Sequence, residues 1–136
     1  MSATLELISQ AIRSKLQRDG AASLTDAEWH LLRVSEWMSA CVDYALARVL
    51  ADTPLSDLLA VAAGLDVMGA AVAAEQLRAA VETLINVTDQ GLGRERQTTI
   101  VRVARELELM VARSRAELEQ TIIAFAFTQQ DEALVA

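Results

Sequence analysis

The sequence predicts an all-α fold, a single-domain bundle of five or six helices over residues 1–136. Alanine (25) and leucine (19) dominate, while glycine is 5, proline 1 and aromatics about 4 % of the chain. That balance favours helices and leaves few turn residues for a many-stranded sheet. The apolar residues recur at spacings of three and four, the period of a helix with one buried side. With 53 % of residues apolar, a core can be built without disulfides or metal.

The elements follow in order. Leu5, Ile8, Ile12 and Leu16, with Ala11, place a first amphipathic helix over residues 3–18. It should stop at Asp19-Gly20, where glycine can take a left-handed capping conformation. Thr25-Asp26-Ala27-Glu28 has the spacing of a capping box, in which hydroxyl and carboxylate each satisfy an exposed amide. A long second helix is expected from there, with Leu31, Val34, Met38, Cys41, Ala45 and Val49 inward, beside Trp37 and Tyr44. Arg33, Glu36, Asp43 and Ala47 are expected outward.

Thr53 and Pro54 then read as the N-cap and first residue of a third helix through Leu55, Leu58, Leu59 and Val61 to about Met68. Gly69 marks a kink or a new start, and a fourth helix from about Ala71 carries Leu77, Val81, Leu84 and Ile85. Thr88-Asp89-Gln90-Gly91-Leu92-Gly93 reads as a loop. Beyond it Ile100, Val103, Ala104, Leu107 and Val111 give another helical stripe. Ser114 and Glu117 have capping-box spacing, which divides the C-terminal third into helices over 94–113 and 115–129; one continuous helix is the alternative. The apolar stretch Leu58 to Ala74 is Ala-rich, contains Asp66, and is shorter than the roughly 20 strongly apolar residues a bilayer requires, so it reads as buried core. Charges at Glu6, Arg13, Lys15 and Arg18 interrupt any signal-peptide core, and a cytoplasmic location is expected.

Catalytic chemistry is sparse. His30 is the only imidazole and Cys41 the only thiol. They stand eleven residues apart, about 16 Å of rise along one helix, too far for a nucleophile and its base. One His and one Cys fall short of the three or four ligands of a zinc site. Glu106/Glu108 and Glu117/Glu119 are two apart and point to different sides of a helix. No catalytic residue, metal site or cofactor is expected, and the aromatic series Trp29, Trp37 and Tyr44 reads as core.

Charge is unevenly placed. From Asp19 to Asp89 there are eleven acids against Arg33, Arg48 and Arg78 only, in a chain of net charge −7. Some of these acids serve as caps, at Asp26, Glu28 and Asp52; the rest offer negative charge to a basic partner. Direct binding of nucleic acid is not expected.

Three blocks carry a family likeness: Leu24-Thr25-Asp26-Ala27-Glu28-Trp29, then Val42 to Asp52, then Leu65-Asp66-Val67-Met68-Gly69-Ala70 with Ala73-Ala74 and Leu84. Together with the end near Gln129-Gln130-Asp131-Glu132-Ala133, the chain over residues 24–133 resembles the bacterial family named after DNA mimic protein nineteen. That family's Asn-Gly-Gly-aromatic block stands here as Asp43-Tyr44-Ala45-Leu46, so no local site is carried over from it. The resemblance implies an acidic, helical, dimeric cytoplasmic protein that occupies the DNA-binding surface of a regulator.

The functional expectation is therefore a non-enzymatic interaction module, an acidic inhibitor or DNA mimic that meets a basic partner through Glu36, Asp43, Asp52, Asp57 and Asp66. The alternative is an assembly protein that works through an apolar surface. A homodimer is expected through the run Ile122-Ile123-Ala124-Phe125-Ala126-Phe127, with Ile122, Ile123, Phe125 and Phe127 at the interface.

Overall fold

Thr25 and Glu28 start the central helix of the fold as their spacing predicts. The Glu28 amide donates to Thr25 Oγ1 at 3.1 Å and the Thr25 amide donates to Glu28 Oε1 at 3.0 Å, so both halves of the capping box are closed. The computed structural model describes residues 3–43, 46–90 and 93–135, with side chains over 3–41, 47–86 and 94–129. Among these residues there are six α-helices and no strand: α1 Ala3–Asp19, α2 Asp26–Asp43, α3 Leu46–Asp52, α4 Leu55–Val67, α5 Ala71–Gln90 and α6 Gly93–Val135. A 3₁₀ turn, Ala21–Ser23, links the first two.

The helix α2 runs antiparallel to α1 and is buried almost all round at its middle. Leu31, Leu32, Val34, Ser35, Trp37 and Met38 are each at most 5 % exposed, so one side cannot account for them. It packs on α1, α3, α4 and α6. The closest approach is to α4 at Gly64, where a Cβ would stand 2.9 Å from Val34 Cγ2 and 3.3 Å from His30 Nδ1. Glycine there leaves room for the Val34 and His30 side chains to pack directly on the α4 backbone.

Two turns depend on backbone freedom that glycine has and other residues lack. Gly20 has φ 85° and ψ 171°, a mirror-extended conformation rather than the left-handed helical one expected of it, and its amide still donates to the Leu16 carbonyl at 2.9 Å. Gly69, at φ 92°, ends α4. The Ala70 amide donates to the Leu65 carbonyl at 2.8 Å and the Gly69 amide to the Asp66 carbonyl at 3.1 Å, the paired bonds of a Schellman cap. The chain thereby reverses within three residues, and α4 and α5 pack as a hairpin. Leu58, Leu65 and Leu77 are fully buried along that hairpin, each contributing about 2 kcal/mol through lost apolar exposure.

Several boundaries differ from the sequence expectation. The long second helix is two helices, α2 and α3, with Tyr44 and Ala45 outside the described residues. Ala47, expected outward, is half-buried against the core because α3 packs on α6 and does not continue the face of α2. Pro54 and not Thr53 takes the N-cap position of α4, so the helix starts at Leu55, one residue later than expected. Thr88, Asp89 and Gln90 finish α5 instead of forming a loop, since adding a turn to an existing helix avoids the nucleation penalty; Gly91 and Leu92 lie outside the described residues.

The C-terminal third is one helix of 43 residues, about 64 Å long, so the expected division at Ser114 does not occur. Nothing between Ala112 and Glu117 breaks a helix, and Arg115 pairs with Glu119 across the next turn at 3.8 Å. Its buried residues fall in two groups, Ile100, Val103, Ala104 and Leu107 toward its start and Leu118, Ile122 and Ala126 further along, and the helix as a whole packs on α5, α3, α1 and α2. Among the described residues no helix is long and apolar enough to cross a membrane.

Ile122 is fully buried in this core, which corrects its assignment to a dimer interface: the side chain is already covered by its own chain. Ile123 and Phe125 are half-buried against the same core, and Phe127 is 52 % exposed. The run is apolar all round because α1 and α2 cover two of its sides.

The Gly64 contact sets a test. Gly64→Ala normally stabilises a helix interior by about 1 kcal/mol, but here the new methyl meets a fully buried, β-branched valine that has no rotamer to retreat to. Overpacking of this kind costs about 1–3 kcal/mol, so the variant should unfold at lower urea, and Val34→Ala in the same chain should recover part of the loss. A higher urea midpoint for Gly64→Ala alone would show that α2 and α4 have room to separate.

Candidate functional site

The five carboxylates predicted to meet a partner do not share one surface. Asp57 and Asp66 stand nine residues, two and a half turns, apart on α4 and so flank its buried side on opposite edges. Glu36 lies on α2 and Asp52 ends α3; the Asp43 side chain lies outside the described residues. Three of them face arginines of the same chain. Glu36 Oε1 accepts from Arg13 Nε at 3.2 Å and ties α2 to α1. Asp66 Oδ2 accepts from Arg78 Nη2 and ties α4 to α5. Asp52 Oδ2 is 3.5 Å from Arg48 Nε, one turn earlier on α3. Asp57 is exposed in the first turn of α4, where its charge complements the helix dipole. These pairs are solvated, so each adds little stability, yet each directs a carboxylate toward its own chain.

One acid that the sequence reading treated only as a cap does more. Glu28 closes the capping box and also accepts from Lys15 Nζ at 2.9 Å through Oε1 and 3.2 Å through Oε2, joining α1 to the start of α2. Partial burial pushes its carboxyl upward, but the Thr25 amide, the Lys15 ammonium and the Thr25 hydroxyl together outweigh that, and its pKa falls below the usual 4.5.

The groups with catalytic potential stay apart. His30 and Cys41 both lie on α2, about 16 Å of rise from one another. Burial, with the Glu108 carboxylate nearby, pushes the Cys41 thiol up to about 12, so it stays protonated and packs as a small apolar group. His30 Nδ1, Ser35 Oγ and Trp37 Nε1 are buried with no hydrogen-bond partner among the described residues. They do not converge, because Ser35 lies about 140° round the helix from His30. Trp37 is core, as its spacing predicts, whereas Trp29 sits at the edge with the Arg33 guanidinium 5.5 Å above its ring; Tyr44 lies outside the described residues. Among the described residues no three His, Cys, Asp or Glu gather where a metal ion could be shared.

A broad concave surface lies elsewhere. An open groove of about 820 Å³ runs between α1, the first turns of α2 and the C-terminal part of α6. Ile12, Leu31 and Ala126 form its buried floor, and Ile8, Ala11 and Phe127 its walls. Lys15, Arg18, Asp26 and Glu28 stand on its rim with both signs of charge. Ile8, Ile12 and Leu31 were legible in the sequence as inward-facing. That they border an opening was not, although the width of the α1 stripe, with Ala11 beside Ile8 and Ile12, is a signal that one neighbouring helix leaves part of it uncovered.

No family model, no curated protein and no solved structure matches the chain.

Two outcomes follow from these side chains. The lowered Glu28 pKa means that its contribution to stability is present above the unfolded carboxyl pKa and is lost as pH falls through the folded value. Glu28→Gln, which keeps a capping side chain but loses the charge, should therefore lower the urea midpoint at neutral pH and approach the parent in acid; an unchanged gap between the two at low pH would assign the effect to packing. Cys41, half-buried with its thiol pKa raised, should react with a thiol reagent at neutral pH more slowly than the same cysteine in the unfolded chain, and equal rates for native and unfolded protein would contradict the burial argument.

Proposed function

We propose that the chain is a binding module rather than a catalyst, and that its working surface is the groove between α1, α2 and α6. The observation that carries this reading is the pairing of a buried apolar floor with exposed apolar walls at Ala11 and Phe127, rimmed by charges of both signs. An apolar helix of a partner protein fits such a site: its apolar side lies on the floor while its flanking polar residues meet Lys15, Arg18 and Asp26. This is the assembly reading of the sequence, moved from the end of the chain to the groove beside it.

Acidic imitation of DNA is the second reading. The eleven acids against three bases from Asp19 to Asp89, together with the family resemblance, favour it, and exposed Asp57 is its best-placed residue. The pairing of Glu36, Asp52 and Asp66 with arginines of their own chain places it second.

The two readings separate by place and by salt. A photo-crosslinking residue at Ala11 should capture a partner that the same residue at exposed Ala63, on α4, does not capture. Capture at Ala11 should change little with salt, because apolar burial is not screened, whereas binding through carboxylates weakens beyond a Debye length of about 8 Å at physiological ionic strength. Capture at Ala63 in preference to Ala11, with a steep fall in salt, would move the working surface to the acids.

A further inference from the structure

Every arginine before α6 is engaged within the chain: Arg13, Arg18, Arg48 and Arg78 face carboxylates, and Arg33 lies over Trp29. The first half of α6 breaks this pattern. Arg94, Arg102, Arg105 and Arg113 are exposed, and among the described residues none of their guanidinium groups has a carboxylate within ion-pair reach. At 3.6 residues per turn the four fall within about 100° of the helix circumference and span about 28 Å of its length. They lie opposite Ile100, Val103, Ala104 and Leu107, the buried side of the same stretch.

The acids of this stretch lie to either side of the arginines. Glu106 borders an opening between α5 and α6 beside Thr83, and Glu117 borders another beside Ala70. Glu108 is on the opposite flank, near Cys41 of α2. Arg102 and Arg113 precede Glu106 and Glu117 by four residues, the less favourable order for an ion pair along a helix, and neither pair closes. Glu95, in the first turn, offsets part of the charge of Arg94. Positive charge is therefore concentrated around Leu109, which is 54 % exposed and has Arg102, Arg105 and Arg113 at seven and four residues before it and four after.

Three guanidinium groups around one exposed leucine complement carboxylates set around an apolar side chain, an arrangement that an acidic amphipathic helix presents at three- and four-residue spacing. A guanidinium meets a carboxylate through two parallel hydrogen bonds, and its weak hydration suits it to contact beside a leucine. The exposed small residues Ala112 and Ala116 leave room for a helix backbone to come close. A second α6 laid about Leu109 would set arginine against arginine. Nucleic acid would leave Leu109 against phosphates and bring dense negative charge to a chain of net charge −7.

We infer that this face of α6 binds an acidic amphipathic helix of another protein, with Arg102, Arg105 and Arg113 on its carboxylates and Leu109 against its apolar side. None of these residues lines the groove. The probe is a labelled helical peptide of about 20 residues, long enough to span the stripe, with leucines at alternating three- and four-residue spacing and glutamates on both sides of that row. Poly-glutamate, a short DNA duplex and phosphatidylglycerol vesicles are the comparisons. The full-length protein should bind the peptide saturably and more tightly than the other three, and less tightly as salt rises. Arg102→Gln, Arg105→Gln and Arg113→Gln together should weaken binding about tenfold or more, with the helical circular dichroism unchanged. Leu109→Ser should weaken it while the salt dependence stays. Absence of peptide binding, tighter binding of the duplex or the vesicles, equal binding of poly-glutamate, or a triple variant that binds as the parent does would each overturn the proposal. Ala11→Glu, at the groove wall, should leave peptide binding unchanged; loss there with retention in the arginine variant would place the peptide in the groove, so the two surfaces are read apart.

Discussion

The contact between α2 and α4 at Gly64 sets how closely the bundle can close. With Val34 Cγ2 and His30 Nδ1 pressed where a Cβ would otherwise stand, these side chains lie closer to the α4 backbone than any residue but glycine permits. The hairpin of α4 and α5 is carried against α2 through this contact, and α6 then closes over α5, α3 and α2. A bundle interior is packed like a molecular crystal, so a separation imposed at one crossing spreads to the neighbouring layers. The buried residues Leu31, Leu32, Val34, Ser35, Trp37 and Met38 reflect helices on several sides of α2, which leave only a narrow strip at Arg33 and Glu36 to solvent at its middle.

That central position also governs the chemistry. His30, Ser35 and Trp37 belong to the helix most deeply enclosed, and their unpartnered polar atoms are held in the interior by the apolar packing around them. An unsatisfied buried polar group costs about 1–3 kcal/mol, which the surrounding apolar burial has to offset. Cys41 sits at the far end of the same helix in an environment that disfavours its thiolate. The residues with the greatest chemical potential in this sequence are thus spent on packing, while the concave and exposed apolar surfaces lie at the periphery, along α1 and α6.

The charges serve two ends at once. Glu28 caps α2 and holds Lys15, Glu36 holds Arg13, and Asp66 holds Arg78, so three carboxylates join helices that are neighbours in the chain. The Arg13 and Arg78 pairs are solvated and the Lys15 pair partly buried, so each is modest in energy and serves to tie neighbouring helices together. A net charge of −7 remains on the molecule, a self-repulsion that favours solubility.

By itself the sequence determined the helical class, the capping box at Thr25 and Glu28, the break at Gly69 and most of the inward residues, since each depends on neighbours within a few positions. Spacing also placed Ile12, Leu31 and Leu107 inward without saying what they face. Tertiary structure alone decided that Ile122 is core, that α6 runs unbroken through Ser114, that Ala47 turns inward, and that Glu36, Asp52 and Asp66 face arginines. The physical reason is range. A helix cap or a stripe is set by residues one turn apart, whereas burial, ion pairing between helices and the opening of a groove depend on which helices meet, and a glycine such as Gly64 declares its purpose only when the opposing valine is in place.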